Sequence, residues 1–74
     1  MANEPAKKQI EKGTYRHFKG NLYEVMDTVI HSESLETFVL YKPIAGDAMW
    51  VRPYDMFFEM VEHNGEMVMR FERV

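Results

Sequence analysis

The sequence predicts an all-β domain, a small and partly open barrel of five or six short strands with one helical turn. Apolar residues alternate with polar ones in short runs at period two, as in half-buried strands. Turn-forming residues separate these runs at short intervals, which is typical of small barrels and sandwiches. The runs all fall within residues 13–74. In so short a chain we expect the sheet to curl, because a barrel leaves few strand edges unpaired.

The predicted strands are, in chain order, 14–19, 22–31, 36–42, 49–52, 57–62 and 67–71. Gly20-Asn21 predicts the first turn, because both residues accept a positive φ at low cost. Asp27 interrupts the apolar face of the second and longest strand, so we expect a bulge or an exposed bend there. Pro43 ends the third strand by removing a ladder donor. Asn64-Gly65 between two apolar runs is the strongest hairpin signal in the chain.

The helical turn is expected over residues 53–56. Pro53 stops the fourth strand, its φ already suits a first helical position, and Asp55 falls near the positive end of the turn. One domain is expected over residues 13–74. Residues 1–12 contain Pro5, several charges and a lone Ile10, so they are predicted to be a disordered or frayed tail.

Composition limits the classes of protein to which the chain can belong. Its 74 residues contain no cysteine, so neither a disulfide nor a cysteine zinc site can stabilise it. A content of 46% hydrophobic and 14% aromatic residues favours a packed core over disorder. No apolar run approaches the ~20 residues of a membrane span, and no apolar stretch follows the N-terminal charges as in a signal peptide. We therefore expect a cytoplasmic protein that does not associate with membranes.

Charge is distributed unevenly along the chain. Residues 1–20 carry five Lys/Arg against two Glu, whereas residues 21–74 carry four Lys/Arg against ten Asp/Glu. The acidic body disfavours nucleic-acid binding, because that affinity depends on Lys and Arg displacing counterions from phosphates. The basic N-terminal arm leaves nucleic acid as an alternative partner.

The short segment Trp50-Val51-Arg52-Pro53 is the most conspicuous part of the sequence. Trp50 and Arg52 fall on one face of a strand, and beside Tyr41 they would form an amphipathic patch of the kind enriched in binding hot spots. The structural alternative is that Trp50 plugs the core and Arg52 pairs with Glu33 or Asp55. Solvent exposure of Trp50 decides between these two interpretations.

A second cluster, His31-Ser32-Glu33, has a weak chemical signature. His31 and Glu33 point to the same side of an extended chain, and His17 could add a third ligand for a metal ion. Nothing in their spacing requires it, so neither a metal nor another cofactor is predicted. Ser32 lacks the glycine-rich turn that exposes a nucleophile. No catalytic residue is predicted either.

Several of these motifs together resemble a family of short bacterial proteins known as domain of unknown function 1653. The motifs that carry the resemblance are Tyr15-Arg16-His17-Phe18-Lys19-Gly20-Asn21, His31-Ser32-Glu33, Gly46-Asp47, Trp50-Val51-Arg52-Pro53 and Arg70-Phe71. The resemblance implies a small Src-homology-3-like barrel and carries no established activity. Ser34, where the pattern often has threonine, and the variable stretch 43–45 are mild departures.

The sequence therefore predicts a non-catalytic module that binds a protein or peptide partner on the face of Tyr41, Trp50, Arg52 and His31. The candidate binding residues are His31, Glu33, Tyr41, Trp50, Arg52, Tyr15 and His17. A nucleic-acid-associated domain is the alternative, and a small metal-dependent enzyme is a weaker one. Met67, Met69 and Phe71 share one strand face, so the chain is expected to be a monomer or a weak homodimer.

Overall fold

The computed structural model describes residues 7–74 and contains seven strands and one short helix. The elements are β1 (Gly13–His17), β2 (Leu22–Ile30), β3 (Thr37–Pro43), β4 (Trp50–Pro53), α1 (Tyr54–Phe57), β5 (Met60–His63), β6 (Glu66–Met69) and β7 (Phe71–Arg73). The prediction of an all-β chain with one helical turn is confirmed. Within residues 7–74, no helix has the length and apolarity that crossing a membrane requires.

The strands form an antiparallel five-stranded sheet and a separate two-stranded hairpin. The order in the sheet is β4-β3-β2-β1-β7, and the hairpin pairs β5 with β6. The described strands do not close into a barrel, because β4 and β7 pair on one side only. The structure therefore shows an open sheet with a separate hairpin, and the partly open barrel stays a prediction.

The extra strand arises at Arg70, where the predicted strand 67–71 divides into β6 and β7. The Arg70 guanidinium donates to the carbonyl of Met56 at 3.1 Å and to Glu59 Oε1 at 2.9 Å. The backbone N–H of Arg70 donates to the Glu59 carbonyl, and its own carbonyl accepts from Phe18. These bonds turn the chain out of the hairpin and into the sheet, so that Phe71 enters the core.

Strand β2 contains the irregularity that the sequence predicts at Asp27. Its pairing with β3 shifts register between Val25 and Asp27. The Asp27 carboxylate accepts a hydrogen bond from the backbone N–H of Thr28 at 2.7 Å. This bond, together with one from Lys7, holds the pKa of Asp27 below its ordinary value. Val25 and Thr28, which lie on either side of the shift, are both buried although they are three residues apart.

Helix α1 lies one residue later than predicted and contributes its last residue to the core. Pro53 stands at the N-cap position, and no side chain caps the helix. Phe57 is fully buried and its ring stacks on that of Phe71 at a centroid distance of 4.1 Å. The predicted strand 57–62 therefore begins only at Met60.

The core lies on one face of the five-stranded sheet, beneath Phe57. Its buried hydrophobic residues are Tyr15, Val25, Val39, Tyr41, Phe57 and Phe71. The register shows why they meet, since Val25 is opposite Tyr41 across β2 and β3. Phe57 also packs edge-on against Tyr15 and Tyr41. One aromatic ring from α1 thus closes the centre of the sheet face.

The β5–β6 hairpin carries the turn that the sequence predicts most strongly. Asn64 and Gly65 have φ values of 54° and 82°, the positive sign that a type I′ turn requires at both positions. Met60 lies opposite Met69, and these two side chains and Met67 are largely exposed. Phe71, expected on the same face as Met67 and Met69, is instead buried in the sheet.

Residues 7–12 have no regular secondary structure but are hydrogen-bonded to the sheet and to α1. Hydroxyl groups of Thr28, Tyr54 and Tyr15 donate to backbone carbonyls of this segment. The prediction of a disordered or frayed tail over residues 1–12 stays a prediction, and its first part, residues 1–6, lies outside the described residues. Strand β1 begins at Gly13.

Candidate functional site

One end of the core face remains open to solvent, and there we define an aromatic–basic patch formed by His17, Tyr23, Trp50 and Arg52. Trp50 is 45% exposed although its ring contacts Tyr23 and Tyr41, at centroid distances of 5.8 and 6.0 Å. Tyr23 also meets His17 at 6.3 Å. Trp50 is therefore neither a core plug nor a free surface residue, because it rests one side of its indole on the core.

Arg52 shares the face of Trp50, as the alternation of β4 predicts. Its Nε donates to the Tyr41 hydroxyl at 3.3 Å, and its guanidinium carbon lies 5.8 Å from the centre of the Phe71 ring. None of the ion pairs among residues 7–74 involves Arg52. Asp55, one predicted partner, pairs with Lys8 instead. The guanidinium is thus held by neutral groups and keeps donors for a ligand.

His17 completes the patch on the side of β1. Its ring packs edge-on against Phe71 at 4.9 Å, and its Nδ1 accepts a hydrogen bond from the Lys19 backbone N–H at 3.2 Å. Burial, followed by the positive charges of Arg52, Arg70 and Lys19, lowers the pKa of His17. Positive charge therefore concentrates at this end of a chain whose net charge is −3.

A cavity of about 550 Å³ adjoins the patch at Trp50. It is lined by Gly20, Asn21, Leu22, Tyr23, Pro43, Ile44, Ala45 and Trp50. Its walls come from the β1–β2 turn and the segment after β3, and both Leu22 and Ile44 are largely exposed. An apolar side chain or a small aromatic group fits this volume.

Comparison with known proteins places the chain in a family. The family model described as "Protein of unknown function (DUF1653)" matches residues 13–73. The chain belongs to the DUF1653 family. A crystal structure of a DUF1653 protein from Bordetella bronchiseptica is similar to it, with a TM-score of 0.81 and 28% sequence identity. The similarity covers 88% of this chain and 87% of that one. No curated protein sequence matches the chain.

This DUF1653 chain places two of the predicted binding residues in the core. Tyr41 is 2% exposed, and it supports the patch from the core through its ring contact with Trp50 and its hydroxyl bond from Arg52. Tyr15 is 4% exposed, and its hydroxyl donates to the Glu11 carbonyl. Burial, with the Glu11 charge second, raises the pKa of Tyr15. Tyr41 therefore positions the patch from beneath, whereas Tyr15 packs in the core against Phe57.

His31 and Glu33 lie at the opposite end of the sheet. Ile30 pairs with Thr37, which is four residues, or about 13 Å, from Tyr41 along β3. His31 Nδ1 accepts hydrogen bonds from the backbone N–H groups of Glu33 and Ser34 at 3.1 and 3.2 Å. These bonds close the β2–β3 loop. His31 therefore shapes a loop and does not face Trp50.

The three residues considered for a metal do not converge. His17 precedes β2 and His31 follows it, so the nine-residue strand, roughly 30 Å long, separates them. Among residues 7–74, no group of three or more His, Asp or Glu side chains is arranged to hold a metal ion.

The sequence interpretation did not select Tyr23, which belongs to the patch, or Phe71, the core ring on which His17 and Arg52 pack. Tyr23 pairs with Tyr15 across β1 and β2, and Phe71 pairs with His17 across β1 and β7. The turn at Gly20-Asn21 contains a signal for the first pair, because a hairpin turn sets the register of its two strands. The second pair depends on the return of the chain after Arg70, for which the sequence has no local signal.

We expect the stability of the protein to fall as the pH drops below 6.5, the ordinary pKa of histidine. The folded state lowers the pKa of His17, so the unfolded chain binds the proton more readily. The contribution of His17 is complete above pH 6.5 and is lost as the pH falls through its lower, folded-state pKa. Urea unfolding followed by circular dichroism on both sides of this pH measures the effect.

His17→Asn is the matched variant, because asparagine keeps an acceptor near the position of Nδ1 without the titrating ring. We expect a shallower loss of stability in this variant over the same pH range. Parallel curves for the wild type and the variant would exclude His17 as the source.

Proposed function

We propose that this protein is a non-catalytic binding module that docks a protein partner on the aromatic–basic patch. The observation that carries the proposal is the half-exposed Trp50 beside an Arg52 that has no ion-pair partner among residues 7–74. Tryptophan and arginine are the residue types most enriched in binding hot spots. The cavity next to Trp50 supplies a concave, mostly apolar surface for an anchoring side chain.

The position of Arg52 supports a ligand with a negative charge. Its contacts with the Tyr41 hydroxyl and the Phe71 ring fix the guanidinium and leave its charge without a described counterion. A carboxylate can bind such a group in two parallel hydrogen bonds, which gives both energy and orientation. The proposed patch keeps the predicted Trp50, Arg52 and His17, adds Tyr23, and leaves out His31.

Three expectations from the sequence, about fold relation, location and oligomeric state, are kept as proposals. Src-homology-3-like barrels bind extended segments on aromatic grooves. The proposed relation to such barrels is compatible with an elongated partner segment. The location is proposed to be cytoplasmic. The chain is proposed to be a monomer or a weak homodimer, supported by the exposed Met60, Met67 and Met69 of the hairpin. Sedimentation equilibrium would exclude this proposal if it showed a tight dimer or a larger oligomer.

A nucleic-acid-associated role is the second proposal, and it has less support. Its sequence basis was the basic arm, but Lys7 pairs with Asp27 and Lys8 with Asp55. Only the cations around His17 favour it. Binding to an oligonucleotide that did not weaken with added salt would exclude it. The metal-dependent enzyme has less support still, because His17 lies at the other end of β2 from His31 and Glu33. Zinc titration that left both histidine NMR signals unmoved would exclude it.

Affinity capture from bacterial lysate with the Arg52→Ala variant tests the proposed function. We expect a partner that the wild type retains to be depleted by tenfold or more in this variant, since truncating a hot-spot residue costs about 2 kcal/mol or more. Quantitative mass spectrometry of the retained proteins gives the measurement.

Arg16→Ala is the matched control for capture. Arg16 is exposed on β1 between the inward-facing Tyr15 and His17, so this variant removes the same charge from the other side of the sheet. It should retain the partner. Equal retention by the wild type and both variants would contradict docking at Arg52.

A further inference from the structure

The two edges of the five-stranded sheet differ in how they are protected. The edge strand β7 buries Phe71 and exposes the charged residues Glu72 and Arg73. Charged side chains of this kind discourage another strand from pairing. The edge strand β4 instead exposes Trp50 at 45% and Val51 at 54%. Apolar residues at an unguarded edge are a template for strand addition.

The outer side of β4 has room for a short added strand. Within residues 7–74, β4 pairs only with β3, through four residue pairs from Tyr41 with Trp50 to Phe38 with Pro53. Pro53 has no N–H and the helix begins at Tyr54, so an added strand ends there. The accessible edge is therefore Trp50-Val51-Arg52, enough for a segment of a few residues.

The spacing of the patch matches the spacing of an extended peptide. Trp50 and Arg52 are two residues apart on one face, so about 6.6 Å separates their positions along β4. Every second side chain of a strand added to this edge falls at the same spacing on the same face. An acidic residue would be favoured opposite Arg52, and an apolar residue that packs on the indole would be favoured opposite Trp50.

The surrounding charges favour an acidic segment. Arg52 has no ion-pair partner among the described residues, whereas Arg70 is paired with Glu59 at 2.9 Å. Arg52, Arg70 and Lys19 all contribute positive charge at His17 and lower its pKa. An acidic side chain placed against Arg52 would be attracted by this positive charge. No described carboxylate already pairs with Arg52.

We propose that the docking segment of the partner is an extended acidic peptide that adds to the free edge of β4 in the antiparallel direction. It would present the order acidic residue, any residue, apolar residue, with the acid on Arg52 and the apolar side chain on Trp50. The antiparallel direction follows from its more frequent occurrence and from the antiparallel pairing of every strand in this sheet. This inference rests on the proposed function.

Titration of the ¹⁵N-labelled full chain with the capped peptide Thr-Glu-Val-Leu-Thr tests the inference. We expect shifts at the backbone amides and the Trp50 indole within residues 50–52, and slower hydrogen exchange at the β4 edge. Replacing Glu by Lys in the peptide should weaken binding by about tenfold or more, because the ion pair is lost and a like charge faces Arg52. The Arg52→Gln variant should weaken binding of the acidic peptide similarly, and Arg16→Gln should not.

Two peptide controls avoid any question of whether a variant folds. A peptide methylated on alternate backbone nitrogens loses its ladder donors and should bind at least several-fold more weakly. The reversed order Thr-Leu-Val-Glu-Thr should also bind more weakly, since it matches only the parallel direction. Equal binding of the Glu and Lys peptides, shifts confined to other strands, or tighter binding of an oligothymidylate would each overturn the inference.

Failure of the inference can be separated from failure of the proposed function. If capture of a lysate protein depends on Arg52 while no acidic peptide binds at millimolar concentration, the patch docks something other than an extended acid. If capture does not depend on Arg52, the proposed function itself fails. A dimer that occupies the β4 edge without any peptide would overturn the inference, because a second copy would then be the occupant.

Discussion

Replacing Phe57 with alanine is expected to lower the free energy of unfolding by about 3–5 kcal/mol. Phe57 has no solvent exposure, stacks on Phe71 and meets the rings of Tyr15 and Tyr41 at 5.5 and 5.4 Å. A chain of this length has a total stability of about 4–11 kcal/mol, at 0.05–0.15 kcal/mol per residue. The variant would lose much of its stability. Urea unfolding followed by circular dichroism measures the difference.

Met56→Ala is the control for this prediction. Met56 precedes Phe57 in the same helix but is 43% exposed, so its truncation should cost about 1 kcal/mol or less. If the Phe57 and Met56 variants unfold at the same urea concentration, the ring of Phe57 does not hold the sheet face together.

Trp50→Ala is expected to separate binding from stability. The indole is 45% exposed and rests on Tyr23 and Tyr41, so its loss should cost only about 1–1.5 kcal/mol of stability. Affinity for the partner should fall about 30-fold or more, the effect of losing a hot spot worth 2 kcal/mol. Circular dichroism gives the stability, and titration of the acidic peptide gives the affinity.

Val51→Ala provides the matched comparison. Val51 is 54% exposed and points to the other face of β4, so its truncation should leave the affinity within about threefold of wild type. A stability loss for Trp50→Ala as large as that for Phe57→Ala would make Trp50 a core residue. The proposed patch would then lose its centre.

The parts of the fold that short-range chemistry determines were predictable. The positive φ values at Asn64-Gly65 and the bulge beside Asp27 follow from residue types within a few positions of each other. The division of the last strand at Arg70 was not predictable, because the alternation of apolar residues continues from Met67 to Phe71. The break depends on bonds from Arg70 to Met56 and Glu59, which only the folded chain brings near.

The candidate site also has a part that the sequence predicts and a part that depends on the folded chain. Period two places Trp50 and Arg52 on one face without any knowledge of the fold. Whether that face is buried or exposed to solvent depends on where the sheet ends, and Trp50 lies at the margin of the sheet. The grouping of His31 with Trp50 required the register between β2 and β3, which the sequence does not specify. Tyr23 joins the patch through that same register.

The backbone of residues 7–12 moves the physical boundary of the domain upstream of its recognisable sequence. The family match begins at residue 13, yet the buried hydroxyls of Tyr15 and Thr28 find their acceptors in the carbonyls of Glu11 and Lys8, both at 2.8 Å. Leaving such groups unpaired costs about 1–3 kcal/mol each. Every residue type has a backbone carbonyl, so this segment can satisfy the core whatever its side chains are. A sequence profile registers side-chain identity, so it does not mark the part of this segment's contribution that the main chain makes.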